Sequence, residues 1–151
     1  MFKILVVCTA NICRSPAGQE FLRQRLADKD VVVESAGTLA IDGNQADATI
    51  RQMMLDRGYP DIEAHRSRAL MPSHLSNYDL VLCMERDHME RVQRLSPYAS
   101  NKTRLYGHWE SQSEVDDPVG RSEKTYARSL DIMDGMADQW VDKMLMMGMV
   151  N

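Results

Sequence analysis

Lys3-Ile4-Leu5-Val6-Val7-Cys8-Thr9-Ala10-Asn11-Ile12-Cys13-Arg14-Ser15-Pro16 joins an apolar run to a helix start through a polar loop, and that junction decides the fold. Lys3 to Val7 is short and apolar, as a strand covered on both faces must be. Ser15-Pro16 reads as the helix start, with Ser15 suited to the cap and Pro16 to the first helical position. Phe21, Leu22, Arg25 and Leu26 continue an amphipathic helix to about Asp28. A strand that runs straight into a loop and a helix is the first half of a βα unit.

The same alternation continues along the chain. Val31-Val32-Val33 is β-branched and reads as a second strand, closed by Ser35-Ala36-Gly37. Asp47 to Arg57 reads as a helix with Ile50, Met53 and Met54 on one stripe and Gly58 at its C-terminal stop. Tyr59 to His74 holds two prolines and reads as a long connecting loop. Tyr78 to Met84 is another buried-strand run, Asp87 to Leu95 a helix, and Thr103 to Tyr106 a short fourth strand. Gly107 to Gly120 is polar and rich in turn residues. Ser122 to Met147 is the last helix, with Tyr126, Leu130, Met133, Met136, Trp140 and Met144 at helical spacing. The methionines from Met144 to Met149 read as core packing and a frayed end. The expected fold is α/β: one domain over 1–151, a four-stranded parallel sheet with helices on both faces and right-handed crossovers, and a phosphate loop after the first strand. Ligands of such sheets bind beyond the C-terminal strand ends, which is where Cys8 falls.

Composition narrows the function. A length of 151 residues suits one domain with a real core, and 44% hydrophobic with 26% charged residues is ordinary for a globular protein. No apolar stretch approaches the roughly 18–20 residues needed to span a membrane. The N-terminal run has neither a charged leader nor a small-residue cleavage site, so it reads as a strand and not a signal peptide. A cytoplasmic monomer without membrane insertion is the expectation. A net charge of −4 argues against nucleic acid as a partner, and attraction of an anion must come from a local site. Three cysteines, Cys8, Cys13 and Cys83, cannot form a fully paired disulfide framework, and neither they nor the scattered histidines match a zinc ligand set. No metal or cofactor is expected.

Cys8 to Ser15 is a Cys-x5-Arg-Ser pattern. The intervening residues Thr9, Ala10, Asn11, Ile12 and Cys13 let the chain wrap a tetrahedral dianion with amides pointing inward, and the following helix N-terminus adds partial positive charge. Arg14 can grip two phosphate oxygens with its planar fork. The same surroundings stabilise a thiolate; cysteines so placed drop from about 8.5 into roughly 3.5–7.5. A thiolate attacks phosphorus to give a phosphocysteine. Cleaving an ester also needs a proton donor for the leaving oxygen, and Asp116-Asp117-Pro118 supplies candidates in the loop before the last helix. Taken alone, Asp before Pro is turn chemistry. Beside a thiolate phosphate loop it reads as the acid, with Asp117 preferred because Pro118 fixes the backbone after it.

Val6 to Pro16, Glu34-Ser35-Ala36-Gly37-Thr38, His65-Arg66-Ser67-Arg68, Tyr78 to Met84 and Asp117-Pro118 together resemble a low-molecular-weight protein-tyrosine phosphatase over essentially the whole chain. Leu105-Tyr106-Gly107-His108-Trp109 is similar to the bacterial branch associated with exopolysaccharide and capsule production. The resemblance implies Cys8 as nucleophile, Arg14 as phosphate clamp and Asp117 as general acid, then as base for the hydrolytic water. It implies a supporting network of Asn11, Ser15, Ser35 and His65. Asn11 tolerates the left-handed backbone a tight loop needs, and the Ser15 hydroxyl can donate to the Cys8 thiolate. In isolation Ser35 would be a turn residue and His65 a surface histidine. Cys13 is either a small buried loop residue or, by the resemblance, the partner of Cys8 in a reversible disulfide; Cys83 reads as inert core. The implied substrate is a phosphotyrosine protein, a bacterial tyrosine autokinase. Where the family commonly places an aromatic after Asp-Pro, this chain has Val119-Gly120, so the wall for a phenyl ring is expected from Leu39 or Tyr106. Arsenate reduction on the same fold lacks a further cysteine near Cys83, a phosphocysteine carrier of sugar transport has no use for the Arg14 and Asp117 pair, and a silent phosphotyrosine-binding module has no use for all three groups together.

Overall fold

Phe2–Cys8 forms strand β1, and every residue from Ile4 to Cys8 is buried because neighbours lie on both edges and both faces. The computed structural model describes all 151 residues. After β1 come helix α1 (Arg14–Arg25), strand β2 (Val31–Gly37), helices α2 (Ala48–Asp56) and α3 (Pro72–Leu75), strand β3 (Leu80–Cys83), helix α4 (Arg86–Leu95), strand β4 (Thr103–Leu105) and helix α5 (Glu123–Met146). The four strands pair in the order β2-β1-β3-β4, all parallel. The expected α/β architecture is the one observed. The chain leaves β1 toward one edge and later returns to its other side, so the strand order switches at β1, and the carboxyl end of β1 opens into the crevice such a switch creates.

Alternation along β1 divides the core. Ile4, Val6 and Cys8 join a cluster with Val33, Phe21, Leu22, Tyr106, Leu130, Met133 and Trp140 under α1, α2 and α5. Leu5 and Val7 face the opposite way, into a smaller cluster with Ala36, Leu75, Val81, Cys83 and Val92 under α3 and α4. Met144 is fully buried and Met149 packs on the larger core, whereas Met146 and Met147 are exposed.

Several boundaries differ from the sequence reading for local physical reasons. Helix α1 begins at Arg14 with Cys13 as its N-cap, so Ser15 lies inside the first turn and Pro16 is its third residue. The phosphate-loop backbone, not a capping side chain, starts this helix, and a proline is tolerated because first-turn amides have no intrahelical acceptor. Asp47 does cap α2, accepting from the amides of Thr49 at 3.1 Å and Ile50 at 3.2 Å. The long connection from Tyr59 to His74 is not all loop: Pro60–Ala64 is a 3-10 turn and Pro72 starts α3, each proline occupying a first helical position.

Gly37 closes β2 where the phosphate loop passes. A Cβ at Gly37 would lie 2.4 Å from the Thr9 carbonyl oxygen and 2.9 Å from the Asn11 amide nitrogen, both backbone atoms. Beyond it, Thr38 N donates to Cys8 O and Leu39 N to Thr9 O, so this glycine lets two loops zip together. Gly37→Ala should cost about 1–3 kcal/mol in chemical denaturation and reduce turnover more than the stability loss explains, because the clash is with the loop backbone.

Candidate active site

Cys8 sits where β1 ends and Arg14 where α1 begins, and the residues between them close a loop around a small cavity. Cys8, Thr9, Ala10, Ile12, Cys13, Arg14, Asp117 and Val119 line this cavity of about 90 Å³. Cys8 itself is only 2% exposed. Asp117 is among the residues that line the cavity and Asp116 is not. Asp117 is oriented by its own turn, Oδ1 accepting from the Val119 amide at 3.0 Å. A larger groove of about 470 Å³, lined by Arg23, Asp61, His65, Arg66 and Arg68 among others, contains neither Cys8 nor Asp117.

Asn11, Ser15, Ser35 and His65 stand behind the cavity. Asn11 is fully buried and has φ of 58°, the left-handed conformation anticipated for it. Its Nδ2 group donates to Ser15 Oγ at 2.7 Å and Ser35 Oγ at 2.9 Å, while its Oδ1 accepts from the Arg68 amide at 2.9 Å. Because Ser15 Oγ accepts from Asn11, its single proton is left for Cys8 Sγ, 2.9 Å away. His65 Nε2 donates to the Asn11 carbonyl at 2.7 Å. Ser35 is therefore not a turn residue but a strand residue at 6% exposure, and His65 is buried.

Arg14 is 2% exposed, and a buried guanidinium must be paired. Its Nη1 donates to Glu85 Oε2 at 2.5 Å and to the Val115 carbonyl at 2.7 Å, and Nη2 approaches Thr9 Oγ1 at 3.5 Å. Nε and the second Nη2 hydrogen take no protein acceptor, and Arg14 is one of the residues that line the cavity. Glu85 follows the end of β3 and is the N-cap residue of α4, with His88 in the first turn of the same helix. Glu85 and His88 lie outside the residues singled out from sequence. The usable signal was their place just beyond a strand carboxyl end adjacent to β1.

The rim differs from expectation. Tyr106 is fully buried and its hydroxyl donates to the Gly18 carbonyl at 2.9 Å, so it cannot wall a ligand ring. A core position is the better place for a tyrosine whose hydroxyl finds a partner there. Leu39 is 63% exposed and tied by its amide to Thr9, and Val119, which lines the cavity, is 45% exposed.

Cys8, Cys13 and Cys83 are free thiols. Burial, with the neighbouring Cys8, pushes the thiols of Cys13 and Cys83 well above the usual range, consistent with Cys83 as inert core.

The family model for low molecular weight phosphotyrosine protein phosphatase matches residues 3–147. The low molecular weight protein-tyrosine-phosphatase Etp of Escherichia coli K12 is 37% identical, over 93% of this chain and 93% of Etp. Wzb of Vibrio vulnificus, solved in complex with benzylphosphonate, is 36% identical and superposes with a TM-score of 0.89 over 94% of this chain and 98% of its own. The YwlE arginine phosphatase of Geobacillus stearothermophilus shares 27% identity and a TM-score of 0.91, over 99% of this chain and 96% of its own. The chain belongs to the low molecular weight phosphotyrosine protein phosphatase family and is by class a protein-tyrosine-phosphatase. No helix is long and apolar enough to cross a membrane.

Burial holds the His65 ring below its ordinary value of 6.5, aided by the charges of Arg23 and Arg66 and opposed by its bond to the Asn11 backbone. Below pH 6.5 the unfolded chain then takes up a proton that the folded chain refuses, so stability falls with pH until the lowered folded value is passed. The urea midpoint should drop between pH 7 and pH 5.5, and the drop should be shallower in His65→Gln. Equal slopes in the two proteins would show that His65 does not titrate differently on folding.

Proposed function

We propose that the whole chain, 1–151, is one phosphatase domain that hydrolyses phosphotyrosine on a protein substrate through a phosphocysteine formed on Cys8. The observation that carries this reading is the convergence of the Cys8 thiol, the Arg14 guanidinium and the Asp117 carboxyl on one cavity of about 90 Å³, with the Ser15 hydroxyl 2.9 Å from the sulfur. In the first step Cys8 Sγ attacks phosphorus as a thiolate, the phosphorus–phenol oxygen bond breaks, and Asp117 gives its proton to the departing oxygen. Arg14 and the loop amides from Thr9 to Ser15 hold the three equatorial oxygens. In the second step water attacks phosphorus, Asp117 takes its proton, and the sulfur–phosphorus bond breaks toward a thiolate that receives the Ser15 hydrogen bond. The thiol is buried in a cavity that Ile12 and Val119 also line, and these apolar side chains favour the phenyl ring of phosphotyrosine over the short aliphatic phosphoserine. Benzylphosphonate, a benzyl group on a phosphonate, is the ligand of the Vibrio vulnificus relative and has the same shape.

Cys13 lines the same cavity, which supports its role as partner in a reversible disulfide. Peroxide would oxidise Cys8 to the sulfenic acid, and the Cys13 thiol would displace water from it to leave the disulfide. The natural substrate we assign is a bacterial tyrosine autokinase of polysaccharide production, in the cytoplasm, acted on by a monomer; similarity to Wzb and Etp supports it. Phosphoarginine is the second reading, favoured by the close superposition of YwlE. Ile12 and Val119, both apolar, suit a phenyl ring better than a guanidinium, so phosphotyrosine is preferred.

Turnover of a phosphotyrosine peptide should exceed that of phosphoserine and phosphoarginine peptides by orders of magnitude, and Cys8→Ser should reduce it to background. Residual activity in Cys8→Ser, or faster phosphoarginine hydrolysis, would overturn the assignment. Asp117→Asn should lower kcat about 10²–10⁴-fold with alkyl-like leaving groups and much less with nitrophenol. If Asp116→Asn shows that pattern instead, Asp116 is the acid.

A further inference from the structure

His88 has no part in the chemistry just described, yet it is 1% exposed and both ring nitrogens are used. Its Nδ1 accepts from the Glu85 amide at 3.1 Å, closing the first turn of α4. That bond puts the ring proton on Nε2, which lies 2.9 Å from Thr9 Oγ1 and donates to it. Thr9 Oγ1 is also approached by Arg14 Nη2 at 3.5 Å. With both lone pairs of Thr9 directed at N–H donors, its hydroxyl proton is left free. Thr9 lines the cavity, so that proton is free to meet a bound oxygen there. Glu85, whose amide His88 holds, is the residue that pairs with Arg14.

We propose that His88 is a positioning residue that turns the Thr9 hydroxyl into an additional donor for the phosphoryl group, and steadies the Glu85 turn that anchors Arg14. The proposal rests on the phosphatase reading above. It requires a neutral imidazole, since a proton on Nδ1 would face the Glu85 N–H and open the turn. Burial and the charge of Arg14, with Arg91, keep the ring below its ordinary value, against the opposing pull of Glu85 and Asp87.

Position 88 is the third residue of α4, where glutamine closes a capping box: its oxygen takes the Glu85 amide and its nitrogen is left to donate to Thr9. His88→Gln should therefore retain phosphate binding and turnover to within about threefold, while His88→Ala lowers kcat/KM about ten- to a hundredfold and weakens inhibition by inorganic phosphate. Thr9→Val, which removes the hydroxyl and keeps the shape, should weaken phosphate inhibition to a similar degree. The double variant should be little worse than the singles, because the effects share one hydroxyl. His88→Leu fills the same space without either nitrogen, so if the alanine variant does not fold, leucine against glutamine decides. Equal losses in the glutamine and leucine variants, or additive effects of Thr9→Val and His88→Ala, would overturn the proposal. Nitrogen NMR should show His88 Nδ1 unprotonated at pH 7; a protonated Nδ1 would overturn it as well. Failure of the wild-type protein to hydrolyse phosphotyrosine would instead sink the underlying reading, and leave the NMR outcome as it stands.

Discussion

One buried amide holds the phosphate loop in shape. Asn11 is fully enclosed, sits in the left-handed region, and spends both N–H groups and its oxygen on Ser15, Ser35 and the Arg68 backbone. A buried polar side chain with an unmet group would cost about 1–3 kcal/mol, so these partners are obligatory and come from three separate segments. The left-handed turn reverses the chain between Cys8 and Arg14. The direction of the Asn11 bonds in turn fixes the direction of the Ser15 proton, which ends on the Cys8 sulfur. Shape and electrostatics of the loop thus follow from one side chain.

The other side of the loop is held by charge. Arg14 enters a nearly dry environment, where an unpaired guanidinium would be far costlier than any phosphate it attracts. Glu85 supplies the counter-charge and the Val115 carbonyl a second fixed acceptor. Such a pair adds little net stability. Its use is orientation, since both Nη1 hydrogens are committed to fixed acceptors of the protein. The Val115 carbonyl belongs to the segment that leads to Asp117, and the Val115 amide bonds to Met84, beside Glu85. Arg14 and the segment that carries Asp117 are therefore tied to the same stretch of backbone.

Size separates this site from the rest of the surface. The grooves of about 470 and 410 Å³ do not include Cys8, whereas the cavity of about 90 Å³ has this buried thiol among its lining residues. A phosphoryl group needs little space and many donors, and the proposed function places it in the smaller cavity. Val119, by contrast, is a lining residue that stays 45% exposed and lies outside the sheet.

Much was legible in the chain itself. The apolar period of β1, the β-branched start of β2 and the helical stripe of α5 dictate a parallel α/β sheet, because burial on two faces leaves strands no other composition. The position of Cys8 at a strand end, five residues before Arg14, and the Asp117-Pro118 turn follow from local sequence too. What tertiary structure alone decided is who pairs with whom across the sheet. Glu85 reaches Arg14 from 71 residues away, and His88 reaches Thr9 from 79. Neither spacing has a local signature, since a long-range hydrogen bond leaves no periodicity in the sequence. Tyr106 looked like a wall for the ligand from sequence, and only the packing of α1 with α5 over the sheet takes its ring into the core, with its hydroxyl on Gly18 and its carbonyl on Trp140. Local sequence dictates what a strand or loop can be; which distant groups meet at its end is fixed by burial, which counts every neighbour at once.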